Sequence, residues 1–122
     1  SSDLIEYLIA ENIMLVPWSS QARGFFIKKK EAMSSDHFAN PTLDEEIRVW
    51  HYEKNLKRRK KCFELASQKN VQPIQIALSY VLHKSPLIFP LVGPRTIFET
   101  NSSIQASQLK LTDQELLELA QD

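Results

Sequence analysis

The chain has 122 residues, with 15 Lys plus Arg against 15 Asp plus Glu, and is 43% hydrophobic and 25% charged. That balance fits one soluble globular domain and argues against disorder, against bulk attraction to nucleic acid and against binding to an anionic membrane surface. No run approaches the ~20 apolar residues of a membrane span, no secretory leader is visible, and the lone Cys62 excludes an internal disulfide and a cysteine-rich zinc site, so a reducing cytoplasmic setting is expected.

Leu4, Ile5 and Leu8 give an apolar face that predicts a short helix over residues 3–12, with Asp3 and Glu6 spaced as a capping box. Ile13-Met14-Leu15-Val16-Pro17-Trp18 is apolar without alternation, as in strands buried on both faces. Pro17 cannot donate to a ladder and should lie near the strand end. Residues 19–40 form a long connection with a basic patch, Lys28-Lys29-Lys30. A helical stretch then opens at Pro41 or Thr42, with Leu43, Ile47 and Trp50 at helical spacing. A second runs from about Asn55 to Lys69, with Leu56, Phe63 and Ala66 on one stripe.

Pro73 stands where a first helical residue should be, and the helix it opens is apolar nearly all round and so largely buried. Leu87-Ile88-Phe89-Pro90-Leu91-Val92 is the second strand, Gly93-Pro94-Arg95-Thr96 a turn, and another helix begins near Thr96 or Ile97. The last helix is capped by Thr112, with Glu115 closing the box and Leu111 and Leu116 as a hydrophobic staple.

Strands alternating with helices imply an α/β class with parallel pairing. About two strands alone make a poor sheet, so the pattern looks like a piece of something larger. In such architectures the loops at the carboxyl ends of strands form the ligand site. The first loop, Trp18-Ser19-Ser20-Gln21-Ala22-Arg23-Gly24, offers an aromatic face, two hydroxyls, an amide and a guanidinium. The second runs into a helix N-terminus, which favours anions. A flat ring on Trp18 and phosphates on the second loop would make a nucleotide site. Two ordinary turns with a Trp at the core edge explain the same letters, since there is no tight glycine fingerprint.

Here the residues resemble a family. Val16-Pro17-Trp18-Ser19-Ser20-Gln21-Ala22-Arg23-Gly24-Phe25 is similar to the segment after the seventh strand of aldo/keto reductases, commonly aromatic-Ser-Pro-Leu-Ala-Arg-Gly-Phe. Phe89-Pro90-Leu91-Val92-Gly93-Pro94-Arg95-Thr96 resembles their eighth strand and cofactor loop. Asn55-Leu56-Lys57-Arg58, Glu64-Leu65-Ala66 and the stretch from Gln75 to Leu82 resemble the intervening helices, and Leu109 to Leu116 the closing one. The likeness covers nearly the whole chain, in order.

The resemblance implies a partial (β/α)8 barrel: residues 1–122 as a single C-terminal segment with the seventh and eighth strands, far short of a full barrel of ~250 residues. It implies a wall for NADP or NAD. Trp18 would stack on nicotinamide. Ser19, Ser20, Gln21 and Arg23 would approach the pyrophosphate and ribose. Gly93, Arg95, Thr96, Glu99 and Ser103 would hold the adenosine end. The family's catalytic Asp, Tyr, Lys and His come from earlier strands and have no matching positions here, so little reduction is expected of this chain alone. Ser20 and Gln21 depart from the usual Pro and Leu. Glu99 stands where many NADP-using members have Arg or Gln, and Ser103 where Asn is common. A carboxylate at Glu99 would repel a 2′-phosphate while Arg95 pulls the other way, which leaves the cofactor preference open.

Two functions follow as expectations. One is the cofactor-binding part of a reductase of aldehydes or ketones, inactive without the remaining barrel segment. The other is a non-catalytic interaction or regulatory module derived from the barrel. Uncovered sheet edges lead us to expect a homodimer or exchange of elements between chains. The run Lys57-Arg58-Arg59-Lys60-Lys61 reads as a solvated helix face with Glu53–Lys57 and Lys60–Glu64 pairs rather than a nucleic-acid patch. His37, His51 and His83 show no metal spacing, Cys62 reads as a core thiol, and Trp50 as a packing residue.

Overall fold

The computed structural model describes residues 2–27 and 52–120; the expected helix ending at Trp50, the Lys28-Lys29-Lys30 patch, His37 and His51 lie outside them. The described residues form α1 (Ser2–Ala10), a 3-10 turn (Ala22–Gly24), α2 (Glu53–Lys69), α3 (Pro73–Leu82), α4 (Ile97–Gln108) and α5 (Asp113–Ala120).

The helix boundaries follow from local chemistry. α2 ends on Asn70, whose φ of 54° is left-handed. Val71 N–H returns to Ala66 C=O at 2.9 Å and Asn70 N–H to Ser67 C=O at 3.4 Å, closing a Schellman turn. α3 starts with Pro73 in its first turn, where the missing N–H has no intrahelical partner to lose. Thr96 caps α4, its Oγ1 accepting from Glu99 N–H at 3.1 Å. The expected box at α5 is formed on both sides. Glu115 N–H donates to Thr112 Oγ1 at 3.2 Å, and Thr112 N–H donates to a Glu115 carboxylate oxygen at 2.7 Å.

The core lies between α2, α3 and α5. Cys62, Leu65 and Ala66 meet Ile76, Ala77, Leu111 and Leu119, with Val71, Tyr80, Leu109 and Leu116 packed around them. α4 docks on α3 through the buried Ala106 and a polar clamp. The Gln75 side-chain amide donates to Ser102 C=O at 3.1 Å and to the Gln105 side chain at 3.0 Å, and its oxygen accepts from Gln72 N–H at 2.8 Å. Thus α3 is buried nearly all round, but two polar residues are buried with it. The second, Ser79, is satisfied by Leu109 C=O at 2.8 Å.

The expected pair of strands is corrected to one parallel bridge, Leu15 with Ile88, among the described residues. Leu15 N–H donates to Leu87 C=O and Phe89 N–H to Leu15 C=O, both at 2.8 Å, and Leu91 N–H reaches Pro17 C=O at 3.0 Å. The next rung of a parallel ladder would run from residue 17 to Phe89 C=O, and Pro17 has no N–H to give. The direction is parallel as expected; the ladder loses a bond at the proline, which still accepts from Leu91 N–H. Met14, Val16, Trp18, Phe89 and Leu91 are left exposed along this pair.

The basic run on α2 is also corrected. Glu53–Lys57 forms at 3.0 Å. The expected Lys60–Glu64 pair gives way to Lys61, which meets Glu64 at 3.8 Å and pairs with Glu118 of α5. Arg58 is half-buried rather than free on a solvated face: its Nε donates to Leu119 C=O at 2.7 Å and its guanidinium lies 5.8 Å from the Tyr80 ring centre. Leu56 is exposed rather than part of a buried stripe.

Two ion pairs fasten α5 to α2, Lys61–Glu118 and Lys69–Glu115, the latter at 2.8 Å. Burial pushes the Glu115 carboxyl up, but hydrogen bonds from Lys69 and Thr112 outweigh it and hold it below the usual 4.5. The hydrogen bond from Lys61 holds Glu118 below the same value, and the bond to Glu118 raises Lys61 above 10.5. A carboxyl lowered on folding stabilises fully above its unfolded value and loses that contribution as acid titrates it; a raised lysine does so below 10.5 and loses it in base. The contribution of these two pairs should therefore stay flat between these limits, and the melting temperature should fall below about pH 4.5. Thermal melts of Glu115→Gln should show a shallower acid limb; an unchanged limb would refute the assignment.

Candidate functional site

A groove of about 1060 Å³ opens where the two strand tips meet α4. Eight of the ten residues singled out from sequence line it: Ser19, Ser20 and Gln21 on one wall, Gly93, Arg95, Thr96, Glu99 and Ser103 on the other. Val71, Gln72, Pro73 and Ile74, from the α2–α3 corner, line it as well. Sequence patterning does not point to that corner, because only the packing of α3 against α4 brings it there. Its one local signal is the proline that opens α3.

The loop wall is tightly turned. Ser19 has φ 52°, Ala22 φ 50° and Gly24 φ 93°. Such values disfavour side chains other than Asn or Asp, so two of the three positions store strain. The turn is held locally by Ala22 N–H to Ser19 C=O at 2.8 Å and Phe25 N–H to Ala22 C=O at 3.0 Å. Ser20 ties it to the other tip, its hydroxyl donating to Leu91 C=O at 2.6 Å. In the parallel register that carbonyl would take the N–H of residue 19, so the hydroxyl stands in for a missing rung. Arg23 lies in the 3-10 turn by its backbone.

The opposite wall is an N-terminal helix turn. Glu99 folds back over it, a carboxylate oxygen accepting from Arg95 N–H at 2.6 Å while its own N–H caps on Thr96. Ser103 Oγ donates to Glu99 C=O at 3.0 Å. The Arg95 guanidinium makes no hydrogen bond or ion pair with the other described residues and is exposed. At Gly93 a Cβ would meet nothing within 4 Å, so the backbone faces open space that a ligand can approach closely.

This arrangement combines hydroxyls, an amide, a free cation and a helix N-terminus along an open cleft, which suits an elongated ligand carrying phosphates. It holds one carboxylate where a second anion would go. Trp18 does not join the eight: next in chain to Ser19, it is 76% exposed and lies outside the lining.

Other reactive groups stand apart from the groove. The Cys62 thiol is buried and pushed up to about 12 by loss of solvent, which makes it a poor nucleophile. Tyr80 has two cations at its ring, Arg58 at 5.8 Å and the Lys84 Nζ at 4.4 Å from the ring centre. His83 Nδ1 bonds Ser79 C=O at 2.8 Å at the end of α3. Among the described residues no helix is long and apolar enough to cross a membrane.

The Aldo/keto reductase family model matches residues 1–121. The chain is 32% identical over 110 residues to norsolorinic acid reductase stcV of Emericella nidulans, covering 90% of this chain and 26% of that protein. It is 29% identical over 117 residues to norsolorinic acid reductase A of Aspergillus parasiticus, covering 96% and 28%. To the putative aryl-alcohol dehydrogenase AAD16 of Saccharomyces cerevisiae it is 29% identical over 115 residues, covering 93% and 33%. The chain thus spans between about a quarter and a third of the length of these curated relatives. With the family match running over almost every residue, the chain belongs to the aldo/keto reductase family.

Proposed function

We propose that residues 1–122 form the C-terminal segment of a (β/α)8 barrel, with its seventh and eighth strands, and that this segment binds the nicotinamide dinucleotide, NAD or NADP, of a reductase acting on aldehydes or ketones. Bound dinucleotide supplies the hydride in this chemistry. The segment's own residues bind and orient. Arg95 and the first turn of α4 take phosphate, Ser19 and Gln21 approach it from the facing wall, and Gly93 leaves room for close approach. Trp18 offers its open indole face beside the groove to a flat ring. No acid among these groups is placed to protonate a carbonyl, so the segment alone reduces little and needs the remaining barrel. The cytoplasm is its setting, in keeping with one unpaired cysteine.

The observation that carries this reading is the meeting of eight expected residues from two distant stretches of chain on one groove. Titration of the chain with NADH and NADPH tests it. Arg95→Ala should weaken binding about tenfold through loss of the free cation facing phosphate. Trp18→Ala should weaken NADH but not ADP-ribose, which lacks the nicotinamide. Absence of binding in the wild-type chain, or unchanged affinity in both variants, rejects the assignment in favour of a barrel-derived interaction module.

A further inference from the structure

Arg59 lies on α2, outside the groove, yet it grips the wall opposite α4. Its Nε donates to Phe25 C=O at 2.7 Å and a terminal nitrogen to Ile27 C=O at 3.3 Å. The guanidinium carbon lies 4.4 Å from the Phe63 ring centre and 5.8 Å from that of Phe25. Phe25 is itself buried, its ring edge-on to Phe26 at 5.1 Å. One planar group therefore spans two carbonyls and stacks on an aromatic from each side of the contact. A lysine, with a compact ammonium, would not reproduce that. Arg58, one position away, turns to α5 instead.

The grip matters because of what it holds. The segment from Ser19 to Gly24 contains two non-glycine residues at positive φ, and the backbone bonds from Ala22 N–H to Ser19 C=O and from Gly24 N–H to Gln21 C=O are both of short span. Strain of this kind persists only where the surroundings over-determine it. Ser20 fastens the segment at one end, through Leu91 C=O, and Arg59 at the other.

We propose that Arg59 is the positioning residue of the loop wall: it holds the turn that presents Ser19, Ser20 and Gln21 to the groove, and so controls affinity for a ligand that reaches both walls. The proposal rests on the reading of the groove as a dinucleotide site. A ligand confined to the α4 wall does not depend on Arg59, and α2 and α3 keep their core without it.

The test compares wild type, Arg59→Met and Arg59→Lys. Calorimetry measures ADP-ribose, which spans both walls, and AMP, which suits the α4 wall alone. Amide exchange is followed at Gly24, Phe25 and Ile27, with Leu78 in α3 as the internal control. In both variants ADP-ribose should weaken about tenfold, AMP should change by less than about twofold, and exchange should quicken at the three loop amides but not at Leu78. Arg59→Lys keeps the charge and carries the test if Arg59→Met does not fold. Equal losses for both nucleotides, or unchanged exchange at the loop amides, overturn the proposal. If wild type binds neither nucleotide, the dinucleotide reading fails, and the exchange rates alone decide for or against Arg59.

Discussion

Replacing Ile76 with alanine should cost about 2–5 kcal/mol of unfolding free energy, from a total of about 5–15 kcal/mol for an ordinary domain. Ile76 has no exposed surface and shares a cluster with Cys62, Leu65, Leu111 and Leu119. Three helices converge there, so little can move in to fill the space its side chain vacates. Urea unfolding followed by far-ultraviolet circular dichroism measures the loss. Ile97→Ala is the control: Ile97 is 82% exposed and should change stability by less than about 0.5 kcal/mol. A cost below about 1 kcal/mol at Ile76 would mean that the core lies elsewhere.

Glu99→Gln should tighten NADPH about tenfold while shifting NADH by less than about threefold. The Glu99 carboxylate already lies on the first turn of α4, where it accepts from Arg95 N–H at 2.6 Å. It answers the helix dipole and occupies a donor that a phosphate would otherwise use. A 2′-phosphate brought to this wall meets a fixed like charge, and NADH does not. Glutamine keeps an acceptor for the Arg95 N–H and removes the charge, so the cap survives and the discrimination goes. Equal changes for both nucleotides would show that Glu99 acts only as a cap. No change at all would place the 2′-position away from α4.

Much of the helical scaffold is legible from local signals. Thr112 with Glu115, Thr96 before Ile97, and Pro73 at the start of α3 each act within a few residues; the first pair forms the box its spacing implies, and the other two mark where their helices begin. The two loops of the groove are legible for a different reason. Parallel strands bring their carboxyl ends together, whatever the detail of the ladder. What stays hidden depends on partners far along the chain. Arg58 and Arg59 belong to a run of five cations that looks solvated, yet one reaches a carbonyl 61 residues away and the other one 34 residues away. Gln75 looks like a stray amide in an apolar helix until Ser102 and Gln105 arrive. The strand pair failed at Pro17 because the missing donor matters only in one register, and register is not written in the run itself.

That proline has a mechanical consequence. Beyond Leu15 the two strand tips share one main-chain bond and one hydroxyl bond, against the continuous ladder of an ordinary barrel wall. The joint between them is therefore a soft seam. Opening it would cost the Leu91 N–H to Pro17 C=O bond at 3.0 Å and the Ser20 hydroxyl bond at 2.6 Å, so the width of the cleft's mouth rests on those two links.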